Sequence, residues 1–373
     1  MKTIIKTLIL SCGVMLASCD NNYHCGMKTI VNEDGTLSRE FTLHLDSAQL
    51  VSGKLDAEKN MVVLDRAWQL SWALKGDSLR HQLPMAVDTY RALKQRCKDD
   101  NQDVNDTIVV YATRTFDHAS VMGQNTQFKV GALNLSPVIT LEKDFRFFYT
   151  TYRLKEIYRQ PQLHFPVPLS RYFTKEEMGY WFSGTPNLGE GLSGMEVDDI
   201  TQQLKRKYSR WIAANDFELT YKTILDNYSK TGLGPKDRAR FVALHDSLLA
   251  AFSNVNTLEE FHEDKSTWFE KRLHTDAYSR VIDDKQLMAK VKELENTFVA
   301  LLLFDVDYQV EMPSGNQPKV EVHRLTGTRL IAADVQLEST SVRRHTLAYA
   351  FTLFLLLGAI AGVWILHHKR KRL

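Results

Sequence analysis

The stretches in which chemistry could be sought are few. Gly189-Glu190-Gly191-Leu192-Ser193-Gly194 fits the spacing G-x-G-x-x-G. That pattern cradles a dinucleotide pyrophosphate only where a strand precedes it and a helix follows within a βαβ unit. Here the preceding residues read as helix and then SGTPNL, so a glycine-rich loop before a helix is expected. Asp305-Val306-Asp307 could present two carboxylates to a cation. Residues two apart on a strand share a face, and the opposite phase is apolar, so a solvated strand face is the expected role. His262-Glu263-Asp264 lacks the second histidine of a metalloprotease helix. There is no G-x-S-x-G elbow and no S-x-x-K, and the twelve histidines follow no metal-binding spacing. No catalytic, cofactor-binding or metal-ligating residue is expected from local motifs.

The cysteines carry more. Four are present, Cys12, Cys19, Cys25 and Cys97, with no CxxC pair and no zinc spacing. Lys2 and Lys6 open the chain, an apolar run from Ile4 to Leu16 follows, and MLASCDNN occupies 15–22. A charged start, a short apolar run and small residues form the layout of a secretory signal over 1–18. The run is too short for an ordinary span, which takes roughly 20 apolar residues. Leu16-Ala17-Ser18-Cys19 resembles the lipobox of bacterial lipoproteins. The resemblance implies cleavage before Cys19 and acylation of its thiol. In enteric bacteria an aspartate in the place of Asp20 resembles an inner-membrane retention signal. Cys12 leaves with the signal, which puts Cys25 and Cys97 on the oxidising side of the membrane as candidates for one disulfide.

Residues 346–366, TLAYAFTLFLLLGAIAGVWIL, carry no charge and show no polar stripe, as expected of a transmembrane helix. Tyr349 and Trp364 lie where amphipathic rings favour headgroups. Lys369, Arg370, Lys371 and Arg372 follow, against Arg343 and Arg344 before it, which favours a cytoplasmic tail at 367–373 and a periplasmic ectodomain. The whole chain is formally +2, of which Lys2 and Lys6 supply two positive charges and the basic residues from Arg343 to Arg372 supply six, leaving the ectodomain at −6. An acidic ectodomain argues against nucleic acid as partner. Gly358 and Gly362 form a GxxxG through which a second copy or another envelope protein could pack against the helix. Membrane lipid is the other partner expected.

Between the anchors the hydrophobic pattern has three parts. The part from Cys19 to Tyr172 is strand-rich. Asn32-Glu33-Asp34-Gly35 joins two alternating runs as a hairpin. Trp68–Leu74, Thr107–Thr113 and Val138–Lys143 read as strands, and residues 84–98 as a helix opened by Pro84. FRFFYTTYRLKEIY at 145–158 reads as one long central strand covered on both faces. Residues 173–304 are helical, with capping-box spacings at Thr174/Glu177 and Thr257/Glu260 and a stripe through Val197, Ile200, Leu204, Tyr208 and Trp211. Residues 305–342 return to strand. The expected fold is α+β: one sheet takes strands from both ends of the ectodomain, and a mainly helical insertion sits between them.

The hairpin V-N-E-D-G soon after the lipobox, the aromatic F-R-F-F-Y stretch, the late Y-Q-V-E-M-P turn and the final apolar helix resemble uncharacterised bacterial envelope lipoproteins of the kind Bacteroidota carry. The style is more distantly similar to LppM-type ectodomains. That resemblance implies an envelope lipoprotein and no activity; the inner membrane is its expected location. It also brings in the D-[ST]-apolar pattern of O-glycosylation in that phylum, which falls at Ser47, Ser78, Thr107 and Ser247. The expected role is binding or assembly at the envelope. Two alternatives remain: a carrier or sensor of an amphiphile, and a periplasmic enzyme whose site is assembled from distant residues.

Overall fold

The computed structural model describes residues 23–370 apart from 57–58, 102 and 316. The signal, Cys12, Cys19, Asp20 and the final three residues lie outside the described residues. The fold is a mixture of helix and strand, as the alternating and helical patterns require.

The main sheet contains β1 (His24–Val31), β2 (Leu37–Leu43), β3 (Gln69–Leu74), β4 (His81–Gln82), β5 (Ile108–Phe116), β10 (Asp305–Met312) and β11 (Lys319–Thr326), in the order β11-β10-β1-β2-β5-β3-β4. Strands far apart in the chain meet in the parallel pair β1/β10, where Met27 lies opposite Tyr308 and Thr29 opposite Val310. All other pairs in the sheet are antiparallel. The β1–β2 hairpin turns where Asp34-Gly35 predicts it. Gly35 takes φ +102, a conformation open to glycine and strained for other residues, and Asp34 accepts from the Thr36 amide. One face of the sheet is apolar through Met27, Val31, Leu37, Phe41, Val110, Ala112, Val306 and Val310. The other is wet and carries ion pairs such as Lys28–Glu311.

A three-stranded sheet faces the apolar side. Its central strand β9 (Tyr149–Tyr158) lies between β8 (Pro137–Phe145) and β12 (Val335–Arg344). A small hairpin, β6 (Phe128–Val130) and β7 (Leu133–Leu135), is wedged nearby, and Phe128 meets Phe41 and Phe304 edge-on. Two expectations change here. FRFFY is not strand interior: β8 ends at Phe145 and residues 146–148 turn the chain into β9. β9 is covered on one face only, since Thr150, Tyr152, Leu154, Glu156 and Tyr158 are buried while Tyr149 and Arg153 are exposed.

The helical part runs from Lys175–Ser183 to Ala289–Leu303. Its backbone is the 33-residue helix Gly194–Asp226, about 50 Å long at 1.5 Å per residue. Its first half contributes Leu204, Tyr208 and Trp211 to the core shared with the sheets. Its second half contributes Phe217, Tyr221 and Ile224 to a separate aromatic core with Phe241, Phe252, Phe261, Trp268 and Phe269. The Thr174/Glu177 capping box forms as the spacing predicts. Thr257 does not cap, because its helix already begins at Val255. Pro84 likewise lies outside its helix, which runs Val87–Asp99 with Ala86 as cap. After β12 a single residue, His345, leads into the helix Thr346–Arg370. No residue of its apolar stretch Thr346–Trp364 is buried against the rest of the chain.

Candidate functional site

Among the described residues, three clusters of polar or aromatic groups stand out as candidates. The first lies between the two sheets. Arg39, on the inward phase of β2, crosses to Glu156 of β9. Its guanidinium also donates to Thr29 Oγ1 at 2.8 and 3.1 Å, to Thr126 Oγ1 at 3.0 Å and to the Tyr308 hydroxyl at 3.1 Å. Tyr308 donates to Glu156 Oε1, and Tyr158 donates to Oε2 at 3.1 Å. Burial alone would pull the Arg39 pKa down, but the Glu156 charge, with Tyr308 and Tyr158, raises it, so the guanidinium stays protonated. Burial and then the Glu156 charge hold both phenols far above their ordinary range. All six side chains are buried. A charge taken out of water is tolerated only when paired and hydrogen-bonded, and this one is fully satisfied. The cluster ties β1, β2, β9 and β10 together.

The second place is the seam between the two cores. Lys265 Nζ sits 2.6 Å from Asp216 Oδ1 and 3.0 Å from Glu295 Oε1. His262 Nδ1 lies 3.8 Å from Asp216 Oδ2. Burial and then the Lys265 charge lower the His262 pKa to about 4, so the ring is neutral at neutral pH. Burial and then the Asp216 carboxylate raise Glu295 to about 7, against the pull of Lys265. Glu295 is 37% exposed, so water screens part of that push. A raised acid beside a half-buried lysine is what a site for proton transfer would use. Here the ammonium already engages both carboxylates. The ion pairs join Gly194–Asp226 to the helices Lys265–Leu273 and Ala289–Leu303.

The third place is the junction from which the apolar helix leaves the folded body. The β8–β9 turn closes through the Arg146 amide and Tyr149 carbonyl at 2.7 Å. The His345 amide donates to Phe148 O at 2.8 Å, and its ring Nε2 lies 2.9 Å from Thr150 Oγ1. The rings of Phe148 and Tyr349 are 4.9 Å apart, and those of Phe145 and His345 5.2 Å. Glu33, from the β1–β2 turn, pairs with Arg343 at 2.7 Å, and its carbonyl accepts from Lys143 and Tyr152.

The residues singled out by sequence are scattered. Cys25 and Cys97 are both buried free thiols, so the considered disulfide is not formed. Cys25 lies on β1, and Cys97 on Val87–Asp99 with Sγ 3.4 Å from Thr107 Oγ1, just before β5. Burial, then Asp305 and Asp307, push the Cys25 thiol up and keep it protonated. The glycine-rich segment follows the helix Lys175–Ser183 rather than a strand, and Ser193 with Glu196 caps the next helix. Asp305 and Asp307 sit on the wet face, where Arg324 bonds Asp305. Among the described residues no group of His, Cys, Asp and Glu is arranged for a metal. Ser47, Ser78 and Ser247 are exposed, whereas Thr107 is half-buried and donates to Val104 O at 2.7 Å. Gly358 and Gly362 lie on the exposed apolar helix with nothing within 4 Å of an added Cβ.

Sequence reasoning missed Arg39, Glu156, Asp216, Lys265 and Glu295. For the first two a signal exists. Leu37-Ser38-Arg39-Glu40-Phe41 and Tyr152-Arg153-Leu154-Lys155-Glu156-Ile157-Tyr158 each set one charged residue in phase with the apolar ones, which marks a buried charge. A hollow of about 290 Å³ opens beside β7 and the end of β9, lined by both apolar and polar groups, among them Leu133, Leu135, Arg159 and Gln160. None of the three clusters opens into it except through Tyr158. Comparison of the chain with family models, curated proteins and solved structures finds no match.

Proposed function

We propose that this chain is a membrane-anchored envelope lipoprotein whose ectodomain is a rigid platform for binding or assembly at the bilayer. The observation that carries the reading is the junction at His345. The edge strand β12 ends at Arg344, and the apolar helix begins one residue later. A flexible linker would let the ectodomain drift; this junction fixes it to the span. The helix is long enough to cross hydrocarbon and leaves its apolar surface uncovered, which in water would be a large exposed patch. The lipobox at Leu16–Cys19 supplies a second tether, with the ectodomain periplasmic and the tail cytoplasmic.

The packing speaks against a carrier of amphiphiles. Phe41, Phe128, Tyr158 and Tyr308 fill the space between the sheets, and the hollow beside β7 is lined in part by Asn134, Arg159 and Gln160. An enzymatic reading would rest on the Asp216–Lys265–Glu295 seam, whose groups are engaged with one another.

The test is membrane extraction of the native chain with mass spectrometry of the mature product. The full chain should resist alkaline carbonate and carry a diacylglycerol group on Cys19. A chain ending at His345 should stay membrane-bound through Cys19 alone, and should be released when Cys19→Ala is added. A native product that is soluble, with residue 19 unmodified, would refute the proposal.

A further inference from the structure

We infer that the tip of the β8–β9 hairpin, Phe145-Arg146-Phe147-Phe148-Tyr149, is a lipid-docking site that inserts into the headgroup–acyl boundary of the bilayer holding the apolar helix. The inference rests on the membrane reading above and adds a contact which that reading does not require. A span needs only its own helix in the lipid, and the ectodomain could stand clear of the surface.

The geometry points to contact. Tyr349 is three residues into the helix, about 5 Å along its axis, and its ring lies against Phe148 at 4.9 Å. Whatever layer receives the helix's first turn therefore also receives the hairpin tip. The hydrogen bond from His345 to Phe148 O and the contact with Thr150 fix that depth, so the tip cannot swing away without breaking them. At this level the side chains are those an interface favours. Phe145 is 66% exposed and Phe147 57%, beside the partly exposed Tyr149. An exposed pair of phenylalanines at a hairpin tip is unfavourable in water, and aromatic rings concentrate at membrane–water boundaries. Arg146 projects from the same turn and Arg344 flanks the junction. A guanidinium there can hydrogen-bond lipid phosphate while its stem follows the apolar layer. Arg146 is shared with Asp144, at 3.0 Å, so the apolar rings rather than net charge carry the attachment.

The partner is thus phospholipid of the same bilayer, bound as a surface. The test is site-specific photocrosslinking of the full chain reconstituted in phosphatidylglycerol/phosphatidylethanolamine vesicles. A benzophenone amino acid replaces Phe147 in one variant, Leu355 in a second and Met195 in a third. Leu355 reports the span, and Met195, exposed at the start of Gly194–Asp226, reports a place outside the junction. The expected result is a phospholipid mass adduct on the peptides bearing positions 147 and 355 and none on that bearing 195. Adducts at 355 without any at 147 would overturn the docking and leave the span standing. Adducts at neither would remove both. Equal adducts at 147 and 195 would also overturn it, because the tip would then be no different from an exposed surface elsewhere.

Discussion

Arg39 of β2 and Glu156 of β9 face each other across the two sheets, 0% and 1% exposed, and each satisfies the charge of the other. Removing one partner leaves the other buried and unpaired, which costs about 3–5 kcal/mol. Glu156→Gln should therefore lower stability by roughly 3 kcal/mol or more in urea unfolding of the micelle-solubilised chain. Arg39→Met with Glu156→Leu removes both charges and should be less destabilised than Glu156→Gln. A double variant as unstable as the sum of its singles would show that the pair is not coupled.

Tyr308→Phe isolates one hydroxyl of the same cluster. It deletes the donor to Glu156 but keeps the ring between the sheets, and Arg39 retains Thr29 and Thr126. A loss of about 1–2 kcal/mol is expected, less than for Glu156→Gln. The same unfolding experiment measures it, and a loss equal to that of Glu156→Gln would mean that the phenol rather than the charge pair governs the cluster.

The seam at Asp216 should oppose two pH dependences. His262, lowered to about 4 from 6.5, takes its proton later in the folded chain than in the unfolded one. Its stabilising contribution is complete above pH 6.5 and is lost as pH falls toward 4. Glu295, raised to about 7 from 4.5, does the reverse: its contribution is complete below pH 4.5 and is lost as pH rises through 7. Between about pH 4.5 and 6.5 the two slopes cancel in part. His262→Asn should therefore gain stability relative to the parent as pH falls through that window, and Glu295→Gln should gain as pH rises through it. Urea midpoints collected across pH 4–8 test this, and parallel curves for all three proteins would dismiss it.

The thiols offer a check on chemistry. Cys25 and Cys97 are unbridged and buried, and Cys25 is held protonated. Neither should react with iodoacetamide in the native chain, and both should react in denaturant without prior reduction. Peptide mass spectrometry reads this directly. Two unreactive cysteines that become alkylable only after reductant would mean a bridge.

The residue pattern announces the elements far better than it announces the clusters. Period-two alternation in β1, β2 and β10 is local, so it survives in one sequence window, and Asp34-Gly35 marks its own turn. The parallel pairing of β1 with β10 is legible only as a consequence of strands at both ends. FRFFY misleads because its aromatics are exposed at a turn rather than buried inside a strand, and a run of aromatic residues does not by itself tell the two apart. The seam is illegible for a different reason. Asp216, Lys265 and Glu295 come from three helices, each with many charged residues, and nothing local separates these from solvated neighbours. Arg39 and Glu156 lie between these cases: each violates its strand's phase, but their pairing spans the whole fold.

Gly327 provides the sharpest packing test. It opens the short helix Gly327–Ala332 and donates its amide to Phe304 O at 2.9 Å. A Cβ at this position would stand 1.7 Å from the Leu301 carbonyl oxygen and 2.7 Å from its carbon. Those atoms belong to the backbone at the end of Ala289–Leu303, just before β10, and cannot rotate aside as a side chain would. Gly327→Ala must therefore move that helix end away from the turn between β11 and β12, opening space in a close-packed core. The expected loss is roughly 3 kcal/mol or more. Gly194→Ala is the matched control, because an added Cβ there meets nothing within 4 Å at an exposed helix start, and it should be neutral or stabilising by up to about 1 kcal/mol. Thermal unfolding of the two variants beside the parent measures both. A Gly327→Ala protein as stable as Gly194→Ala would mean that the helix end and the β11–β12 turn are not packed against each other.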